Sequence, residues 1–304
     1  MGSRDYLFPI FYRRGQKMKK KLSSILICFI FLLGLGIMLY PMISNIYSEH
    51  NQIQTINNYE KVIGDMNDNE IQEAIELARK YNKRLIGNVT LTDPFDVELQ
   101  KELDSEYEHL LNIDGDGIMG HVNIPEINVN LPIYHGTSEE VLQKGVGHLE
   151  NTSLPVGGED THTVLSGHTG LPSAELFNNL SELEEGDEFY LHILGEVLAY
   201  KIDQIKVVEP QETSDLLIDP TKDYATLVTC TPYGVNSHRL LVRGTRIPYV
   251  ENMENEQITT TSGKAREWLS EYVNVLVVGI STILVVVASI WLISIKKRKN
   301  EGEK

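Results

Sequence analysis

Three side chains whose chemistry would combine into acyl transfer stand at the ends of strand-like runs. Tyr224-Ala-Thr-Leu-Val-Thr-Cys230 ends in a thiol, and Arg239 follows nine residues later. Leu165-Ser-Gly-His-Thr-Gly170 sets His168 between glycines at the end of another run. A thiol attacks only as thiolate or beside a base that makes one, and the resulting oxyanion needs donors. A guanidinium stays charged at any working pH and offers several. Cys28, the other cysteine, lies inside an apolar run of membrane-crossing length and cannot reach Cys230. Neither a disulfide framework nor a cysteine-based metal site is therefore expected, and a lone outer thiol suggests chemistry. A small buried hydrophobe is the rival account. Periodicity does not choose between Arg239 and Arg243, which share one face of an alternating strand, and Arg246 is a further rival. Flanking glycines single out His168 because they let the backbone turn sharply and present the ring. His50, His109, His121, His135, His148, His162 and His192 read as surface or core residues.

The elements that must hold these groups follow from pattern. Strand-like segments are Gly117 to Gly136 (two strands and a turn), Thr161 to Ser166, Glu188 to Leu194, Glu196 to Pro210, Tyr224 to Cys230 and His238 to Val250. Many short strands separated by Gly and Pro argue for a mostly β fold, a closed barrel with short helices on its surface. Asp68 to Leu85 carries apolar residues at helical spacing behind a capping Asn67 or Asp68, which predicts an amphipathic helix. Further short helices are expected over Val97 to Leu111 and Ser173 to Leu183. Asp114-Gly-Asp-Gly117 lacks the third acidic position and the downstream Glu of a calcium loop and reads as a tight turn. Glu182 to Glu188 likewise reads as a solvated turn, so no metal site is expected.

Two runs are long and apolar enough to cross a bilayer, 22–43 and 273–295. Arg13, Arg14, Lys17 and Lys19 to Lys21 precede the first; Lys296, Lys297, Arg298 and Lys299 follow the second. Basic flanks stay cytoplasmic, so both tails (1–21 and 296–304) are expected inside and residues 44–272 outside. A cleaved signal peptide fits the first run less well, because it is long and Tyr40-Pro41-Met42 replaces a small-residue cleavage site. The outer segment carries 15 basic and 40 acidic residues, net −25, within a chain of 304 residues and net −16. Such a surface argues against nucleic acid or anionic lipid as partner.

The set resembles a sortase. Thr226-Leu-Val-Thr-Cys230 with its arginine nine residues on, the Gly-His-Thr-Gly loop, Ile118 to Pro125, Leu131 to Gly136 and Gly147 to Gly158 all look like that family. The resemblance implies a β-barrel cysteine transpeptidase of a Gram-positive surface, with His168, Cys230 and Arg239 at the catalytic positions; it is this match that prefers Arg239 to Arg243. The second span and Thr92-Asp-Pro-Phe95 are similar to the pilus-building subgroup, class C. There an Asp-Pro-aromatic lid lies across the site, so Asp93 would pair with Arg239 and Phe95 would cover the thiol, with Pro94 between them. Asp96 and Val97 follow here, where that subgroup often has small residues.

The resemblance further implies donors with an LPxTG-like sorting signal, a thioester on Cys230, and a lysine of a pilin subunit as acceptor. No cofactor is implied. The expected organisation is a basic tail (1–21), a span (22–43), a stalk with helices and lid (44–110, lid 92–96), the barrel (111–250), a linker (251–272), a second span (273–295) and a basic tail (296–304). A housekeeping sortase that uses peptidoglycan precursor amines is the nearest alternative. A display protein without catalysis is the more distant one.

Overall fold

The computed structural model describes residues 8–87, 89–96 and 103–250, together with positions 277, 279 and 281. Helix α1 (Phe8–Asp65) is continuous. It includes a stretch long and apolar enough to cross a membrane, which the described residues leave unburied. The stalk expected from residue 44 is therefore, up to Asp65, the C-terminal part of this helix. The sequence between Ser44 and Asp65 is polar on one side only. Ile56, Tyr59 and Ile63 are buried against the barrel, and the Tyr59 hydroxyl donates to the Met119 carbonyl and accepts from the Leu194 amide. Helix α2 (Asp68–Leu85) follows the expectation, with Asn67 and Glu70 forming a reciprocal cap at its start. Its Ile75, Ala78, Tyr81 and Leu85 enter the core.

Helix α3 spans only Ser105–His109; the start of the helix expected over Val97 to Leu111 lies outside the described residues. Eight strands then close a barrel: β1 (Ile118–Ile124), β2 (Val129–His135), β3 (Val146–His148), β4 (Thr161–Ser166), β5 (Glu188–Ile193), β6 (Glu196–Val208), β7 (Asp223–Thr231) and β8 (His238–Ile247). Their order around the barrel is β1-β2-β3-β4-β7-β8-β6-β5. The β2/β3 and β4/β7 pairs are parallel and the rest antiparallel. Strand β3 and helix α4 (Glu139–Lys144) have no counterpart in the sequence reading. Three residues are too few for a visible alternation.

The helix expected over Ser173 to Leu183 is absent; turns and one short 3-10 segment, Leu180–Glu182, occupy that span. Local bonds outcompete a helix there. The Phe177 amide donates to the His168 carbonyl, and the Gly170 amide donates to Asn178 Oδ1. Asp114 to Gly117 is a turn in which Asp116 accepts from the Ile118 amide. The second span, its linker and its basic tail lie outside the described residues, apart from three isolated positions.

Alternation along the strands sorts side chains into two apolar clusters. Leu165, Phe189, Ala225, Leu227, Leu240 and Val242 point inward and fill the barrel. Val164, Val228 and Leu241 point outward. With Leu91, Leu149, Val208 and Leu216 they form a small second cluster on the outer face, against which Phe95 packs.

Candidate active site

The outer face of β4, β7 and β8 determines the site. In the parallel β4/β7 pair Ser166 stands opposite Val228, an offset that continues to His168 opposite Cys230. The ladder holds beyond the strand end, since the Gly167 amide donates to the Val228 carbonyl and the Thr229 hydroxyl donates to the Gly167 carbonyl. In the antiparallel β7/β8 pair Cys230 stands opposite Arg239. His168, Cys230 and Arg239 thus form one row across three adjacent strands. Arg243 lies four residues further along β8 and pairs with Asp203 on β6. Arg246 sits over the Tyr200 ring. Neither joins the row.

Gly167 is fixed by space: a Cβ there would meet the Phe177 ring at 2.7 Å. Gly170 has φ +79° and lies under the Tyr233 ring, so its turn needs a residue without a Cβ.

The segment before the barrel closes over this row. Asp93 carboxylate oxygens accept from Arg239 Nε at 2.8 Å and from Arg239 Nη2, a two-point pair in which the side chains are only 10% and 11% exposed. The Asp96 amide donates to the Asp93 carbonyl, making a turn with Pro94 at its second position, where its fixed φ fits. That turn aims Phe95 at the row. Its ring centre lies 5.6 Å from the His168 ring and 5.1 Å from the Arg239 guanidinium carbon. Phe95 therefore bridges the two residues that flank Cys230. Beside the turn, between Asp93, Thr137, Ser138 and Glu150, a cavity of ≈ 200 Å³ remains. That is below the usual size of a ligand site, roughly 300–1,000 Å³, because the segment itself fills the groove.

The electrostatics of this closed arrangement work against the thiolate. Burial pushes the Cys230 thiol up; Arg239 opposes that, but Asp93 adds to it. The nearest cation is thereby neutralised by the segment that covers it. His168 faces Glu139, at the start of α4, with Nε2 to Oε2 at 3.3 Å. The sequence reading missed Glu139. Ser138 followed by two glutamates and an apolar pair is a helix-start signal, but nothing local says that this helix abuts His168.

His148 and His162 are structural. His148 donates from Nε2 to the Ser153 carbonyl, while Nδ1 meets the Tyr107 hydroxyl. His162 lies between the Leu217 carbonyl and the Thr226 hydroxyl. Burial lowers His148 to about 3 and His162 to about 4. His121 stacks on His192 and meets Glu60 of α1. Among the described residues no cluster of three or more His, Cys, Asp or Glu could hold a metal.

The sortase-domain profile covers residues 122–247. Sortase C-1 from Streptococcus pneumoniae is 51% identical, with 65% of this chain and 100% of that chain covered at a TM-score of 0.61. The chain belongs to the sortase family. Sortase C1 of Streptococcus agalactiae, solved as a complex with MTSET, is 50% identical over 65% of this chain and 98% of that chain, TM-score 0.60. Sortase D of Bacillus subtilis (strain 168) is 34% identical over 42% of this chain. The alignment spans 63% of that curated relative's length. As a sortase, this chain is grouped with cysteine transpeptidases, and its solved neighbours are sortases C.

Proposed function

We propose that this sortase joins pilin subunits, with Cys230 as nucleophile, His168 as proton carrier and Arg239 as oxyanion donor. The observation that carries the reading is the single row of these three groups under a two-point Asp93–Arg239 pair. The donor is a surface protein or pilin with an LPxTG-like signal. Once the 92–96 segment lifts, Arg239 loses its carboxylate and faces the thiol and the substrate carbonyl alone. The Cys230 sulfur attacks the threonine carbonyl carbon, and His168 holds the proton the thiol gives up. Arg239 donates to the tetrahedral oxyanion. His168 passes its proton to the leaving amine, the peptide bond breaks, and an acyl thioester remains. A lysine amine of the next subunit then attacks, His168 takes its proton, and the thiol leaves. The product is an isopeptide bond. The thioester conserves the acyl energy, so the proposed exchange draws on no cofactor and no nucleotide.

The 92–96 segment acts as a lid that keeps water and stray thiol reagents from the site while no donor is bound. The N-terminal span and the neighbours' kinship with sortase C-1 support a membrane-anchored enzyme with its barrel outside. Sharing a membrane with its donors raises their effective concentration without any new contact.

The test uses the full chain in detergent, with Asp93→Ala to lift the lid. Incubation with an LPxTG peptide is expected to give an adduct of acyl mass on Cys230, sensitive to hydroxylamine and absent from Cys230→Ala. Adding a lysine-bearing pilin peptide is expected to convert it to an isopeptide product. A folded Asp93→Ala protein that forms no adduct would overturn the reading. An adduct resolved only by peptidoglycan-type amines would move it to a housekeeping sortase.

A further inference from the structure

Helix α1 ties the site end of the barrel to the membrane surface. The apolar run 22–43 is 22 residues, about 33 Å of helix, enough for a hydrocarbon core of about 30 Å. The very next residues touch the barrel. Ser44 Oγ donates to the Ser173 carbonyl at 3.3 Å, and Asn45 Oδ1 accepts from the Glu175 amide at 2.7 Å. Both partners sit on the loop that begins with His168, whose carbonyl accepts from Phe177. The same helix reaches the β1 and β5 ends only at Tyr59, about 22 Å further along its axis. The His168 loop is therefore the part of the barrel held at headgroup level.

Two loops meet there, 167–174 and 231–237, with the Tyr233 ring over Gly170. Together they hold fifteen residues without one Asp, Glu, Lys or Arg, in an outer segment that carries 55 of these over 229 positions. At the tip, Tyr233 and Val235 are 68% and 69% exposed. Exposed apolar side chains on an uncharged loop suit the membrane interface, where tyrosine is favoured. A domain of net −25 is repelled by anionic headgroups, and this is a face it can bring to them without that cost.

We infer that Tyr233 and Val235 dip into the interface of the bilayer that α1 crosses, so that the row of His168, Cys230 and Arg239 works at headgroup level. A sorting motif leaving the membrane on its own donor chain meets the site at that height. The inference rests on α1 as a span, which the spin-label arm tests by itself; the donor-acylation arm rests on the proposed transpeptidation as well.

The test places nitroxide labels on the full chain in phosphatidylcholine bilayers with a minor share of phosphatidylglycerol, in a Cys28→Ser, Cys230→Ala background. Val235→Cys reports the tip, Leu33→Cys the span, and Lys222→Cys the opposite end of β7. The label at 235 is expected to collide several-fold more with oxygen, relative to a water-soluble nickel complex, than the label at 222. A label at 235 as open to nickel as that at 222, while the label at 33 is shielded, overturns the inference and leaves the span standing. A second arm keeps Cys230 and combines Tyr233→Ser with Val235→Ser. Acylation by a lipid-anchored donor is expected to fall several-fold while that by a soluble LPxTG peptide in detergent holds. An equal fall in both would make the tip a peptide-docking surface and overturn the inference.

Discussion

The two apolar clusters of this barrel are built on opposite faces of the same strands, and they serve opposite ends. The inner one is closed on all sides by strands and by α2; Phe189, Leu227 and Val242 have no exposed surface. The outer one is small, and its cover includes a short stretch of chain from Leu91 to Phe95 fastened by one ion pair. Packing on the inner face fixes the register that lines up His168, Cys230 and Arg239. Packing on the outer face seats Phe95 beside them. A single strand does both because its side chains alternate. The histidines make the same point. His148 is sealed and bonded at both nitrogens, whereas His168 is partly open beside Glu139.

The comparison is broken most sharply from inside. Phe189→Ala leaves a cavity between β5 and its stacked neighbour Tyr200, with an expected loss of about 3–5 kcal/mol in denaturant unfolding. Asp93→Ala is expected to cost less than Phe189→Ala, because the freed Arg239 can turn to water once the segment lifts, whereas a cavity inside the barrel cannot be refilled.

Acid provides the next largest effect. The folded-state values of His148 and His162 lie below the ordinary imidazole value of 6.5. Their stabilising contribution is therefore complete above about pH 6.5 and is lost as pH falls toward the folded values, because the unfolded chain binds the protons first. Each histidine should cost about 1.4 kcal/mol per pH unit in that window. Thermal melts from pH 7 to pH 5 should show the decline, and His162→Gln should flatten it.

Changes to the outer cover should register in thiol reactivity. Asp93→Ala removes a carboxylate that raises the Cys230 thiol and frees Arg239, which lowers it. Labelling by a small methanethiosulfonate is expected to speed up about tenfold, equivalent to about 1.4 kcal/mol, with its pH midpoint shifted downward. An unchanged rate and midpoint would remove the lid from the account. Phe95→Ala should act in the same direction and less, about two- to fivefold, the worth of one cation–π contact of about 0.5–1 kcal/mol.

Much of the architecture was legible in order. Alternation marked seven of the eight strands, cap and spacing marked α2, and apolar length marked the first span. The failures have one cause each. The C-terminal part of α1 looked like a stalk because its apolar residues are sparse, and only the barrel against it makes them a face. The stretch from Ser173 to Leu183 has adequate helix formers, but its amides are claimed by His168 and its neighbours. Strand β3 owes its existence to two ladders rather than to its own three residues.

At the site, an antiparallel turn that returns the chain beside itself lets Cys230 meet an arginine at one end of a hairpin, but periodicity left Arg239 and Arg243 open and only the family resemblance chose Arg239. The sequence by itself also determined the residue types and the basic charge flanking the first apolar run. Only the tertiary structure decided that His168, 62 residues before Cys230, lies level with it, because parallel pairing of β4 and β7 is set by the packing of two sheet faces. The Asp93–Arg239 pair, 146 residues apart, was implied by the family resemblance and by no local pattern, and Glu139 beside His168 came from the tertiary structure alone. Local pattern encodes which face a side chain takes; which distant group it meets there is fixed when the barrel closes and each register must satisfy its neighbours on both sides at once.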